Sequence, residues 1–255
     1  MKVTVLSVDR VAVDTVDTAV RPTQTSTAPK AKPKKRRSSV GLKLLMAGTG
    51  LLLVLFLFAH MAGNLKIFVG GDAFDHYAHW LRDIGTPLLP HTWYLWIQRA
   101  VLTVAVLGHI AAAVILARRA RLARPVRYAH RPKVQGSYAA RTMRWGGVII
   151  LLFVIFHILD LTTGTVNPVG DARHPHANVV ADFAPSRWYV TLFYTLAIVA
   201  VGFHLRHGIF SALRTLGQQS PRGERRARTI ALALSLVLVV GYLSVPFAVT
   251  IGAIK

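Results

Sequence analysis

Apolar positions gather in five long runs, at about 42 to 68, 93 to 117, 145 to 166, 188 to 213 and 229 to 252, with charged and proline-containing stretches between them. A bilayer hydrocarbon core of about 30 Å is crossed by roughly 20 helical residues at about 1.5 Å each, so every run is long enough to span. The pattern predicts an all-α integral membrane bundle of five transmembrane helices spanning residues 40–255. Residues 1–39 differ in kind. From Arg21 onward they run through Pro, Thr, Ser and Ala into Lys30, Lys32, Lys34, Lys35, Arg36 and Arg37, too polar and like-charged to pack a core. They read as a basic, disordered cytoplasmic tail and not as a signal peptide, because the first apolar run is long enough to be a span.

The loops fix an orientation. Between the second and third runs lie Arg118, Arg119, Arg121, Arg124, Arg127, Arg131, Lys133, Arg141 and Arg144 with no acid among them. Between the fourth and fifth, Arg214, Arg222, Arg225, Arg226 and Arg228 face a single Glu224. The other two loops are near balance, with Asp72, Asp75 and Asp83 in one and Asp171 and Asp182 in the other. Basic loops stay inside, so the N-terminus is expected in the cytoplasm and the C-terminus outside, in the cell inner (plasma) membrane. Trp80, Trp93, Trp96 and Trp188 then mark the outer lipid boundary.

Composition sharpens this reading in two ways. The net charge of +21 would suggest nucleic acid in a soluble protein, but topology accounts for it here and no basic stretch is interleaved with base-stacking aromatics. The chain has no cysteine, which excludes thiolate metal sites, iron–sulfur ligation and a cysteine nucleophile within it. Any redox centre it holds must hang on histidine.

Four runs carry a histidine within the apolar stretch: His60, His109, His157 and His204. An ionisable group at membrane depth is costly enough to count as a functional hypothesis. A lone histidine is well explained by a helix-to-helix hydrogen bond, but four spans each supplying one need more. His109 lies nine residues from Arg118 and His204 ten from Arg214, roughly 14 Å from the inner edge in both cases. His157 is thirteen residues from Arg144 and His60 seventeen from Lys43, roughly 20 to 25 Å in. Two levels result, pairing His60 with His157 near the outer face and His109 with His204 near the inner face. Bis-imidazole ligation of this kind suits two haems b, whose iron then changes valence with no open position for substrate. A single tetrahedral zinc cannot reach both depths. Gly63, Gly108, Gly202 and Gly208 beside the histidines suit either a macrocycle against the backbone or close helix packing. His207 is the rival ligand on the fourth span; with Arg206 it is assigned to a haem propionate.

The strings HMAGNL, from His60 to Leu65, and FHLRHGIFSALRTLG, from Phe203 to Gly217, resemble the membrane cytochrome b subunit of succinate dehydrogenases and fumarate reductases, of the single-subunit, five-helix, di-haem type. The resemblance extends in architecture from about residue 40 to 253. It implies axial ligation from the first four helices in the same pairs, and flavoprotein and iron–sulfur subunits docked on the cytoplasmic face. It also implies menaquinone or another quinone as the lipid-soluble partner. Succinate chemistry would belong to the partner subunits. The tail before Ser39 falls outside the resemblance.

Quinone chemistry consumes protons with electrons, so Asp160, one turn beyond His157, and Arg99, at the start of the second span, are candidates for contacting quinone, relaying a proton or meeting a propionate. Pairing with one another is the alternative for both. His76, His79, His91, His174 and His176 are expected to be largely solvated. Two other functions stay open: the di-haem anchor of a different dehydrogenase or hydrogenase, and a transporter or proton channel with histidine relays.

Overall fold

The computed structural model describes residues 39–123, 138–217 and 220–255. Among the described residues all regular structure is helical. Seven α-helices follow in order: α1 Ser39–Asn64, α2 Gly71–Asp83, α3 Trp93–Leu122, α4 Tyr138–His157, α5 Pro175–Asp182, α6 Trp188–Thr215 and α7 Pro221–Thr250. Five segments are long and apolar enough to cross a membrane: Ser39–Val69, Trp93–Leu122, Met143–Thr162, Pro185–Thr215 and Pro221–Thr250. The chain is a multi-pass helical membrane protein. The basic tail read at residues 1–39 lies outside the described residues up to Ser39, which opens α1, and so do Arg124, Arg127, Arg131 and Lys133.

The surface is apolar where lipid would lie. Leu55, Leu107, Leu152, Leu196 and Val240 are each more than 60% exposed, a distribution that hydrocarbon tolerates and water does not. Helix association under those conditions depends on close packing. α7 provides it with Gly223, Ala227, Ala231 and Ser235, small buried residues four apart on one face. α6 and α7 form the most extensive helix pair. A Cβ at Gly202 of α6 would meet the Val239 side chain of α7 at 2.5 Å, so this glycine is what lets the two backbones approach. α1 packs along α3 and α6, and α4 along α6, whereas α1 and α4 scarcely touch, nor do α3 and α6.

Sequence reading and structure part at the span ends. α7 begins eight residues before the apolar run, because Ser220 caps it by accepting from the Gly223 backbone N–H at 3.0 Å and Pro221 occupies the first turn. The third span stops at Thr162 and not at 166, in a turn of π-helix over Ile158–Thr162. The two loops near charge balance are not featureless: they fold as α2 and α5 and form a cap over one end of the bundle. Arg82 of α2 donates to the Ala172 carbonyl at 2.9 Å, and Asp75 accepts from the His176 backbone N–H at 2.8 Å. The cap holds a buried cluster that includes Ile67, Val179, Phe183 and Tyr194.

Candidate functional site: two imidazole pairs and a buried carboxylate chain

The four span histidines meet in twos. His60 of α1 and His157 at the end of α4 have ring centres 5.9 Å apart with planes at 77°. His109 of α3 and His204 of α6 have ring centres 6.3 Å apart with planes at 61°. Each pair bridges two helices whose backbones scarcely touch. Among the described residues no group of three or more His, Cys, Asp or Glu converges to hold an ion.

An imidazole nitrogen binds a first-row metal at about 2 Å with its ring centre roughly 1 Å behind, so two imidazoles sharing one ion stand roughly 6 Å apart, centre to centre. Both pairs have that spacing. The planes need not be parallel, because each ring turns freely about its metal–nitrogen axis. The remaining nitrogens favour the same use. A ligating histidine gives its second nitrogen to a hydrogen-bond partner, which fixes tautomer and ring orientation. His157 Nδ1 lies 3.4 Å from the Tyr194 hydroxyl, which itself donates to Asp160 Oδ2 at 2.7 Å. His109 Nδ1 lies 3.3 Å from Thr49 Oγ1. Gly50 makes room for that ring, since a Cβ there would stand 3.3 Å from His109 Cε1. His204 Nδ1 is buried with no hydrogen-bond partner among the described residues, a cost of the kind an additional ligand removes. The donor set therefore fits a bis-imidazole metal macrocycle at each level.

The ring that faces His109 is that of His204; His207 is half-buried and Arg206 is exposed one helical turn away. The glycines divide. Gly63 and Gly202 serve close packing, against Tyr77 and Val239 respectively, while a Cβ at Gly208 would enter open space. Asp160 and Arg99 do not pair with each other. Asp160 is fully buried and is held by Tyr194 and by Asn167 Nδ2 at 3.3 Å, whereas Arg99 is exposed, with its guanidinium 4.9 Å from the centre of the Trp96 ring. Asp160 sits in the π-turn beside α6, while Arg99 lies on an outward face in the second turn of α3.

The carboxylate chain runs further than sequence reading reached. Asp182, at the end of α5, is also fully buried, within hydrogen-bonding reach of Asp160, and its Oδ1 accepts from Arg187 at 3.0 Å. Its signal in the sequence is the apolar setting of Val179-Val180-Ala181-Asp182-Phe183-Ala184, unlike that of a solvated loop acid. His76, His79, His91 and His174 are exposed, as expected, and His176 is half-buried; at the surface His91 bonds Asp83 at 2.8 Å, His174 bonds Asp171 at 2.9 Å and His79 bonds the Arg173 carbonyl at 3.1 Å.

Fold and site together define a multi-pass helical membrane protein with two stacked histidine pairs inside its bundle. No protein-family model, no curated protein and no solved structure matches the chain.

Proposed function

We propose that this chain is the membrane cytochrome b subunit of a succinate:quinone oxidoreductase, binding one haem b between His60 and His157 and a second between His109 and His204. The observation that carries the reading is the pair of imidazole couples, each at single-ion spacing between helices whose backbones scarcely touch. The sequence resemblance around His60 and Phe203–Gly217 adds the choice of complex. Haem bound in these positions supplies one-electron transfer between the partner subunits and a quinone. The chain's own residues do the holding. Tyr194 and Thr49 orient two of the rings, and α1, α3, α4 and α6 keep water away from them. His207 and Arg206, near His204, suit a propionate, and Arg99, exposed beside Trp96 near the start of α3, suits a quinone or propionate arriving from lipid.

On this reading the arginine-rich end, with Arg222, Arg225 and Arg226, faces the cytoplasm and offers a surface for the flavoprotein and iron–sulfur subunits, and the cap of α2 and α5 faces outside. The test is purification from the native membrane with an optical spectrum. Reduced b-type haem bands, together with co-purifying flavoprotein and iron–sulfur subunits, are the expected result. A colourless protein overturns the cytochrome reading, and different partner subunits, such as those of a formate dehydrogenase or hydrogenase, overturn the choice of complex.

A further inference from the structure

Two carboxyls with no exposure at all adjoin each other in the cap, and their hydrogen-bond positions are not equivalent. Asp160 is supplied with donors on both oxygens, Asn167 on Oδ1 and Tyr194 on Oδ2. Asp182 has Arg187 on Oδ1, and its Oδ2 is buried with no hydrogen-bond donor among the described residues. Two ionised carboxylates in contact, away from water, repel each other, and one proton between them both removes the repulsion and satisfies the orphaned oxygen.

We propose that Asp160 and Asp182 share one proton, with Asp182 as the acid whose Oδ2–H donates to Asp160, and that the pair is a proton-exchange site at the cap end of the bundle. The turn after α4 contributes Asp160, and α6 contributes the Tyr194 hydroxyl, which is committed to Asp160. The 3₁₀ turn before α6 contributes Arg187, and α2 contributes Asp75, which is engaged with the His176 backbone on the other side of α5. α7 brings the Thr250 hydroxyl, which donates to the Phe183 carbonyl at 3.1 Å. Burial and then the Asp160 carboxyl push Asp182 up to about 7, against the opposing pull of Arg187. Release moves the proton from Asp182 to a water or buffer base at the surface and leaves a second carboxylate facing Arg187, whose side chain is 28% exposed and so reaches from the buried pair to solvent. The proton site stands on the carboxyl geometry alone; its use in quinone chemistry rests on the function proposed above, where Tyr194 joins Asp160 to His157.

Infrared spectroscopy of the purified full-length protein in lipid nanodiscs tests the assignment independently of any haem signal. The carbonyl band of a protonated carboxylic acid, shifted in deuterium oxide, is expected at neutral pH and is lost on titration across about pH 5 to 9. Asp182→Asn abolishes it, and so does Asp160→Asn. Should one variant fail to fold, the other and the wild-type titration still decide. Absence of the band at neutral pH overturns the proposal, because no carboxyl in the cap then holds a proton. Loss of the band on adding sodium or calcium at fixed pH also overturns it, because the carboxyls then hold a metal cation.

Discussion

At the scale of single residues, Tyr194 has two neighbours that depend on it. Its hydroxyl donates to Asp160 and faces His157 Nδ1, so Tyr194→Phe leaves a buried carboxylate short of a donor. The expected loss is about 1–3 kcal/mol in stability, read by thermal denaturation; on the proposed function it comes with a shift in the midpoint potential of a haem at His157 and none at His204. Asp182 gives a pH dependence with a definite sign. Its pKa is raised from 3.8 to about 7 in the folded protein, so its contribution to stability is fully present below the unfolded value and is lost as pH rises through about 7. Thermal midpoints should fall across that window in the wild type, and Asp182→Asn should flatten the fall. If the proposed function holds, His204→Ala gives the sharpest residue-level outcome: the optical spectrum should lose one of two haems and keep the one between His60 and His157.

The histidines were legible in the sequence because a polar residue in an apolar run is conspicuous, and counting 1.5 Å per residue from the nearest arginine sorts them by depth. Asp182 and Tyr194 were not legible. A tyrosine is unremarkable near a membrane interface, and nothing local says that the loop holding Asp182 folds back under α6 to meet Asp160.

At the scale of elements, the seam between α6 and α7 decides how closely the bundle closes. Ala231 is fully buried on the small-residue face of α7, and Ala231→Leu forces methylene groups into a packed contact. The expected cost is about 1–3 kcal/mol, measured by unfolding in denaturing detergent, whereas the same change at exposed Ala113 of α3 should cost little. Element existence followed directly from apolar run length, because a span must satisfy its own backbone in lipid. Element ends did not. The helix at α7 outruns its apolar stretch under the control of Ser220 and Pro221, and α2 and α5 are held by long-range bonds such as Arg82 to Ala172, which no window of neighbouring residues contains.

For the whole molecule, sidedness is the property that the proposed function needs. The chain lacks cysteine, so single introduced thiols report it without a background. Arg222→Cys, at the arginine-rich end, should resist an impermeant maleimide in intact cells and react after lysis. Leu88→Cys, 93% exposed in the loop after α2, should react in intact cells. The reverse pattern would place the docking face of the proposed complex on the wrong side of the membrane.

α6 contributes to both histidine levels. It carries His204 into one and, ten residues earlier, sets Tyr194 beneath the other, roughly 15 Å apart along a single rod. Sliding or rotating this helix would disturb both places together, and Gly202, wedged against Val239 between them, works like a detent that sets its position. The two levels are thus cut to one gauge, so a change that retunes one by moving this rod must be felt at the other.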